Sequence, residues 1–139
     1  MAATPTVIVE APRRSRRGRE VVGGSAGTTA AFREIFCAAT TALARDQALP
    51  YLRKKYAHYG SWGQDDGHPA DDGRSWDADA PDSHHFILGD PEYCRAELAR
   101  FREAVGVDEY ILRTEWPDMP HELALSSLDL LSREVVPNL

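Results

Sequence analysis

The stretch "HFILGDPEYCRAELARFREAVGVDEYILRTEWPDMP", His85 to Pro120, constrains the fold more than any other part of the chain. Phe86 to Gly89 reads as an entry segment or a short strand. Asp90 follows as a helix N-cap, with Pro91 at the first helical position and Glu92 in the first turn, where a negative charge meets the positive end of the helix. Tyr93, Leu98, Phe101 and Val105 supply a buried stripe, and Gly106 ends the helix in the left-handed conformation that a Cβ disfavours. Asp108 to Arg113, "DEYILR", is the next strand. "TEWPDMP" is the loop after it, and Glu122 to Val136 form a last helix closed by Pro137. Strands and helices alternating at this spacing predict right-handed βαβ units and a parallel sheet.

Upstream, "FREIFCAA", Phe32 to Ala39, clusters aromatic and branched residues in a short run that predicts a buried strand, with Thr40 or Thr41 as the next N-cap. Ala44, Ala48, Leu52, Tyr56 and Tyr59 then share one helical face. Pro50 lies inside this segment and is expected to start a second helix or bend the first. From Gly60 to Ser83 the composition changes to seven Asp against one Arg, with four Gly and two Pro. Loops longer than about 12–15 residues are usually lids or disordered segments, and Trp62 and Trp76 favour a lid. Its charge density predicts a mobile segment that proteases cut early. The order is strand, helix, loop, helix, strand, helix. Two parallel strands with three helices do not complete a layer, so the regular unit resembles one repeat of a larger α/β fold whose other repeats are absent.

A length of 139 residues with 42% hydrophobic and 9% aromatic content suits one soluble domain. No run approaches the roughly 18 apolar residues of a membrane helix and no apolar stretch serves as a secretory signal, so no membrane association and a cytoplasmic location are expected. Cys37 and Cys94, in dissimilar contexts, are expected to be buried free thiols. The net charge of -6 divides unevenly: residues 1–30 carry five Arg against two Glu, whereas the rest holds 11 basic and 20 acidic residues. The head 1–30 is expected to be disordered and unrelated to the body at 31–139. An acidic body argues against a nucleic-acid groove, because phosphate contacts need clustered Lys and Arg.

Three patches, "REIFCAATTALA", "YLRKKYAHYGSWGQD" and "FILGDPEYCRAELARFREAVGVDEYILRTEWPDMP…LDLLSREVVPNL", together resemble the C-terminal part of luciferase-like flavin-dependent monooxygenases. The resemblance covers residues 32–139 apart from the Asp-rich loop. His85 stands where that family carries Arg, and Asp118 where it carries Gly after Trp-Pro, a position at which Gly allows a positive φ. The resemblance implies the C-terminal part of a (β/α)8 TIM barrel of the luciferase-like type, incomplete in this chain. Phe32–Ala39 would be strand seven, Asp108–Arg113 strand eight, and the Asp-rich segment at 60–85 the insertion after strand seven. It implies a cofactor, reduced FMN or the deazaflavin F420, with O2 and a small-molecule substrate as reaction partners. Loops that hold the flavin phosphate in this family come from middle strands, so no phosphate-binding residue is assigned.

Barrel enzymes carry their chemistry at the C-terminal ends of the strands. Glu34, sharing a strand face with Phe36 and Ala38, is a candidate for lining the flavin or substrate pocket; pairing with a neighbouring Arg such as Arg33, or with one on a missing strand, is the plain alternative. Arg113, at the rim end of its strand, is a candidate for approaching the flavin or an anionic substrate group, against being held by Glu115 or by a helix C-terminus. Trp116 is a candidate pocket wall, against simple packing under the last helix, and Trp62, in the lid, is a further substrate- or flavin-pocket candidate. No catalytic residue is assigned. His68, His84 and His85 lie near Asp residues, but their spacing matches no metal motif, so no metal is expected. The competing functional readings are a non-catalytic remnant and a small interaction module whose basic head and acidic loop serve as opposite-charge segments. Exposed strand edges also make self-association an expectation.

Overall fold

A computed structural model describes residues 27–61 and 86–139. Most of the head and most of the Asp-rich insertion, with Trp62, Trp76, His68, His84 and His85, lie outside the described residues. Strand β1 (Ala30–Cys37) is followed by helix α1 (Thr41–Ser61), strand β2 (Phe86–Gly89), helix α2 (Pro91–Val105), strand β3 (Glu109–Arg113) and helix α3 (His121–Leu130). A wide helical turn, Leu131–Val135, and a 3₁₀ turn, Val136–Asn138, continue α3 to the C-terminus. The body begins slightly earlier than expected. The Thr29 carbonyl accepts from the Asp108 and Glu109 N–H groups, and the Thr29 N–H donates to the Asp108 carboxylate at 2.8 Å. No helix among the described residues is long and apolar enough to cross a membrane.

Local chemistry accounts for the element ends. The Thr40 hydroxyl accepts from the Leu43 N–H at 3.1 Å and starts α1. Pro50 does not divide this helix, which runs unbroken through it. Pro50 and Asp46, four residues earlier, are both exposed, so the carbonyl left without a helical donor lies on the wet side. Asp90 caps α2 by accepting from the Tyr93 N–H at 2.9 Å, and its second oxygen accepts from the Thr41 hydroxyl, joining the starts of α1 and α2. Gly106 ends α2 at φ 74° and ψ 48°, in the left-handed region. Within α2 two residues of the expected stripe stay out of the core: Tyr93 is exposed and Phe101 half-buried, while Cys94 joins Leu98 and Val105 inside.

The sheet has three parallel strands in the order β2-β1-β3, one more than the two expected, because Phe86–Gly89 pairs with Glu34–Cys37. β3 pairs with Ala30–Glu34 on the other side of β1. The sheet sets β3 directly beside β1. The chain doubles back at β2, whereas a barrel lays down successive strands in one direction with every helix outside. Right-handed crossovers in opposite directions put helices on both faces of the sheet. On one face Phe36, Ala38, Phe86 and Leu88 pack against Ala44, Ala48 and Leu52 of α1. On the other, Ile35, Cys37 and Ile87 pack against Cys94 and Leu98 of α2. The C-terminal helix serves both clusters, with Ala124 in the first and Leu131 and Val135 in the second.

β2 and β3 flank different halves of β1, and Glu34 is the residue whose register partners lie on both sides, Phe86 and Arg113. Past the end of β3 the backbone of β1 would lack a partner. The buried Ser127 hydroxyl fills the gap by accepting from the Cys37 N–H at 2.8 Å, and the Thr114 hydroxyl donates to it at 2.9 Å.

Candidate functional site

Alternation along β1 sends Arg33 to the α2 face, where its guanidinium stacks 3.6 Å over the Phe101 ring, and Glu34 to the α1 face. Arg33 is therefore not the partner of Glu34. The Glu34 carboxylate, buried where the three strands meet, accepts from the Lys55 ammonium, from the Tyr56 hydroxyl and from Trp116 Nε1 at 3.0 Å. The Arg113 guanidinium stands 3.9 Å away on the outer side, half exposed and 5.1 Å above the Phe32 ring. Three of the four residues singled out in the sequence, Glu34, Arg113 and Trp116, thus converge on one carboxylate; Trp62 lies outside the described residues. Arg113 does not pair with Glu115, which sits 3.5 Å from His121 instead.

Lys55 and Tyr56 complete the cluster and were missed. Lys55 falls on the buried stripe of α1, three residues after Leu52, and a cation there calls for a counter-charge. Glu34 is the carboxylate on the facing strand, and that pairing was available to a sequence argument. The ammonium lies 4.9 Å from the Tyr56 ring and 5.5 Å from the Tyr59 ring, and Tyr56 packs on Phe86 with centroids 5.2 Å apart. Burial first, then the hydrogen bond to Glu34, raises the Tyr56 phenol well above its ordinary value.

Arg113 leads into a tight turn that positions Trp116. The Met119 N–H donates to the Trp116 carbonyl at 3.1 Å, Pro117 occupies the second position, and Asp118 the third at φ 65°. This is a type II turn, whose third residue favours Gly or Asn. A positive φ is in use where the resembling family carries Gly, and Asp118 also pairs with Lys54. The turn drops Trp116 into the core at 3% exposure, 6.2 Å from the Phe36 ring. Its indole faces protein on every side, which is the plain packing role.

Three donors and two cations around the carboxylate hold it in place. Those donors occupy most of its lone-pair sites, which leaves it poorly set up to take a proton from a substrate. Arg113 is the member of the cluster that still reaches solvent. The two cysteines offer no nucleophile. Distant in sequence, they meet in the core as free thiols, both buried. Contact with Cys37 and burial raise the Cys94 thiol far above the ordinary thiol range. Among the described residues no group of three or more His, Cys, Asp or Glu could hold a metal ion.

No family model and no curated protein matches the chain. Two solved chains do. The chain is similar to monooxygenase RslO1 from Streptomyces bottropensis, with a TM-score of 0.76 at 16% identity over 97% of its own length. It spans 39% of that protein's length. At this identity the likeness establishes the fold: the chain has the α/β fold of part of that monooxygenase.

Proposed function

We propose that the chain is the C-terminal part of a luciferase-like flavin-dependent monooxygenase, an oxidoreductase in which reduced FMN or F420 would activate O2 toward a small organic substrate. The observation that carries this reading is the fold likeness to a monooxygenase over nearly the whole chain. The Gly-Asp-Pro-Glu start of α2 and the positive φ at Asp118, where the family has Gly, support it.

Within that reading the Glu34 cluster is a fastener. It ties α1 to the β1–β3 pair and to the turn carrying Trp116, and so fixes Arg113 at the rim. The described residues do not themselves fit a flavin. The Glu34 carboxylate is buried and already accepts from three donors, Trp116 is buried, and Arg113 is a single half-exposed cation beside Phe32. No chemical step is therefore derived through the cofactor. A barrel site is assembled from loops on several strands, and errors of about 1 Å in placement cost about a hundredfold in rate. The inward-turned, hydrogen-bonded cluster also favours the second reading, a non-catalytic remnant, for the 139-residue chain by itself.

Titration of the purified chain with FMN and with F420 in both redox states, alongside O2 uptake, separates these readings. The chain alone is expected to bind neither stoichiometrically at micromolar concentration. A longer polypeptide supplying the remaining strands is expected to bind one of them and consume O2. Absence of binding in that polypeptide would leave the remnant reading standing. Stoichiometric binding with substrate-dependent O2 uptake by the 139-residue chain would overturn the fragment reading.

A further inference from the structure

β3 is the outer strand of the sheet, and among the described residues no strand pairs with its free edge. The Glu109 N–H points inward to the Thr29 carbonyl at 3.2 Å. Backbone groups alternate along a strand, so Glu109, Ile111 and Arg113 direct theirs toward β1, and Tyr110 and Leu112 direct theirs outward. The side chains alternate as well. Glu109, Ile111 and Arg113 lie on the exposed face, and Tyr110 and Leu112 are half-buried toward α2. Ile111 is 55% exposed, beside its register partner Phe32 at 50%.

The sequence of this edge, Glu-Tyr-Ile-Leu-Arg, is complementary to itself when reversed. We propose that β3 is a homodimer interface, pairing antiparallel with β3 of a second copy about a two-fold axis at Ile111. In that register Tyr110 of each copy faces Leu112 of the other. These are the residues with outward backbone groups, so each pairing exchanges both N–H···O bonds. Glu109 faces the second copy's Arg113, an opposite-charge pair at each end of the strand, and Ile111 meets Ile111 at the centre. Phe32, Ile111 and their two symmetry mates form one apolar row across the joined sheet. A register slip in either direction sets the charged ends against apolar residues or leaves them unpaired, so the charges fix the alignment. The contact is isologous and closes at two copies, unlike the open stacking that a bare apolar edge invites. It is a property of the 139-residue chain; in the longer polypeptide of the proposed function this edge would pair with a further barrel strand.

Sedimentation of the full chain from about 1 to about 100 µM tests it, since a dimer responds to protomer concentration. The expected result is a rise from the 15.4 kDa monomer to twice that mass. Glu109→Lys, which sets like charges opposite each other and lies outside the Glu34 cluster, is expected to stay monomeric with unchanged circular dichroism. Ile111→Cys is expected to cross-link to a dimer under mild oxidation, because non-hydrogen-bonded opposite residues lie about 4.5 Å apart at Cα. Glu109→Cys, which faces Arg113 and not itself, is expected to resist. A chain monomeric throughout the range, a dimer indifferent to Glu109→Lys, open-ended oligomers, or equal cross-linking of the two cysteine variants would each overturn the proposal.

Discussion

At the scale of single residues the fold holds a strained turn and a buried ion pair, with opposite consequences for mutation. Asp118 adopts φ 65°, a conformation that costs an L-residue roughly 1–2 kcal/mol, less for Asp than for most. Its ion pair with Lys54 is exposed on both sides and worth about 0–1 kcal/mol. Asp118→Gly is therefore expected to be neutral to stabilising, by up to about 1 kcal/mol, read as a higher urea midpoint at unchanged slope. Gly106 is the converse. A Cβ there would meet nothing within 4 Å, so Gly106→Val would bear only the backbone cost of about 1–2 kcal/mol. Glu34→Gln removes the counter-charge of the buried Lys55 ammonium and is expected to cost about 3–5 kcal/mol, since an uncompensated buried charge is the expensive outcome. The double change Glu34→Gln with Lys55→Met should cost less than the single one, measured by chemical denaturation. Tyr56 supplies a pH test. Its phenol is raised in the folded state, so the stability it contributes is complete below the ordinary tyrosine value near 10 and is lost as pH climbs beyond it. Tyr56→Phe is expected to flatten that alkaline decline.

At the scale of elements the joints are polar groups that finish ladders and caps. Ser127, reaching from α3, accepts the Cys37 N–H that β3 is too short to pair. Ser127→Ala would leave that buried donor unsatisfied, at about 1–3 kcal/mol. Faster hydrogen exchange at Cys37 than at Ile35 in the variant would locate the damage. Asp90 joins the starts of α1 and α2, and its bonds from the Tyr93 N–H and the Thr41 hydroxyl hold its carboxyl below the usual range. A depressed carboxylate contributes stability above its unfolded value near 4 and loses it as pH falls through the lower folded value. Asp90→Asn is expected to keep the cap while weakening that acid dependence, and Asp90→Ala to lower the melting temperature at neutral pH as well. Equal melting curves for the Asn and Ala variants would show that the cap bond carries nothing.

At the scale of the whole molecule, two apolar clusters on opposite faces of three strands make a unit with a core of its own. Cutting into either cluster should therefore be costly. Leu52 and Leu98 are fully buried on opposite faces, and each Leu→Ala change is expected to cost about 2–5 kcal/mol. The two sites share no cluster, so the double variant should show nearly additive losses. Strong coupling between them in a double-mutant cycle would mean that the sheet does not separate two packing units.

Capping chemistry and periodicity determined the elements from the sequence alone. Asp90 and Pro91 start α2, Gly106 ends it, and the Ala44–Ala48–Leu52 stripe is buried as read, because each depends on contacts within a few residues. The sequence also marked Glu34, Arg113 and Trp116, since a carboxylate in a buried strand and a cation at a strand end stand out by type. Pairing was decided only in three dimensions. Phe86–Gly89 is four residues long, and nothing local says that it will lie parallel to Glu34–Cys37 some fifty residues earlier. Lys55 as the partner of Glu34, Ser127 under Cys37 and the meeting of the two cysteines belong to the same class. Each joins groups distant in the chain whose attraction takes effect only after the crossovers have laid α1, α2 and α3 against the sheet and excluded the water that would otherwise satisfy them.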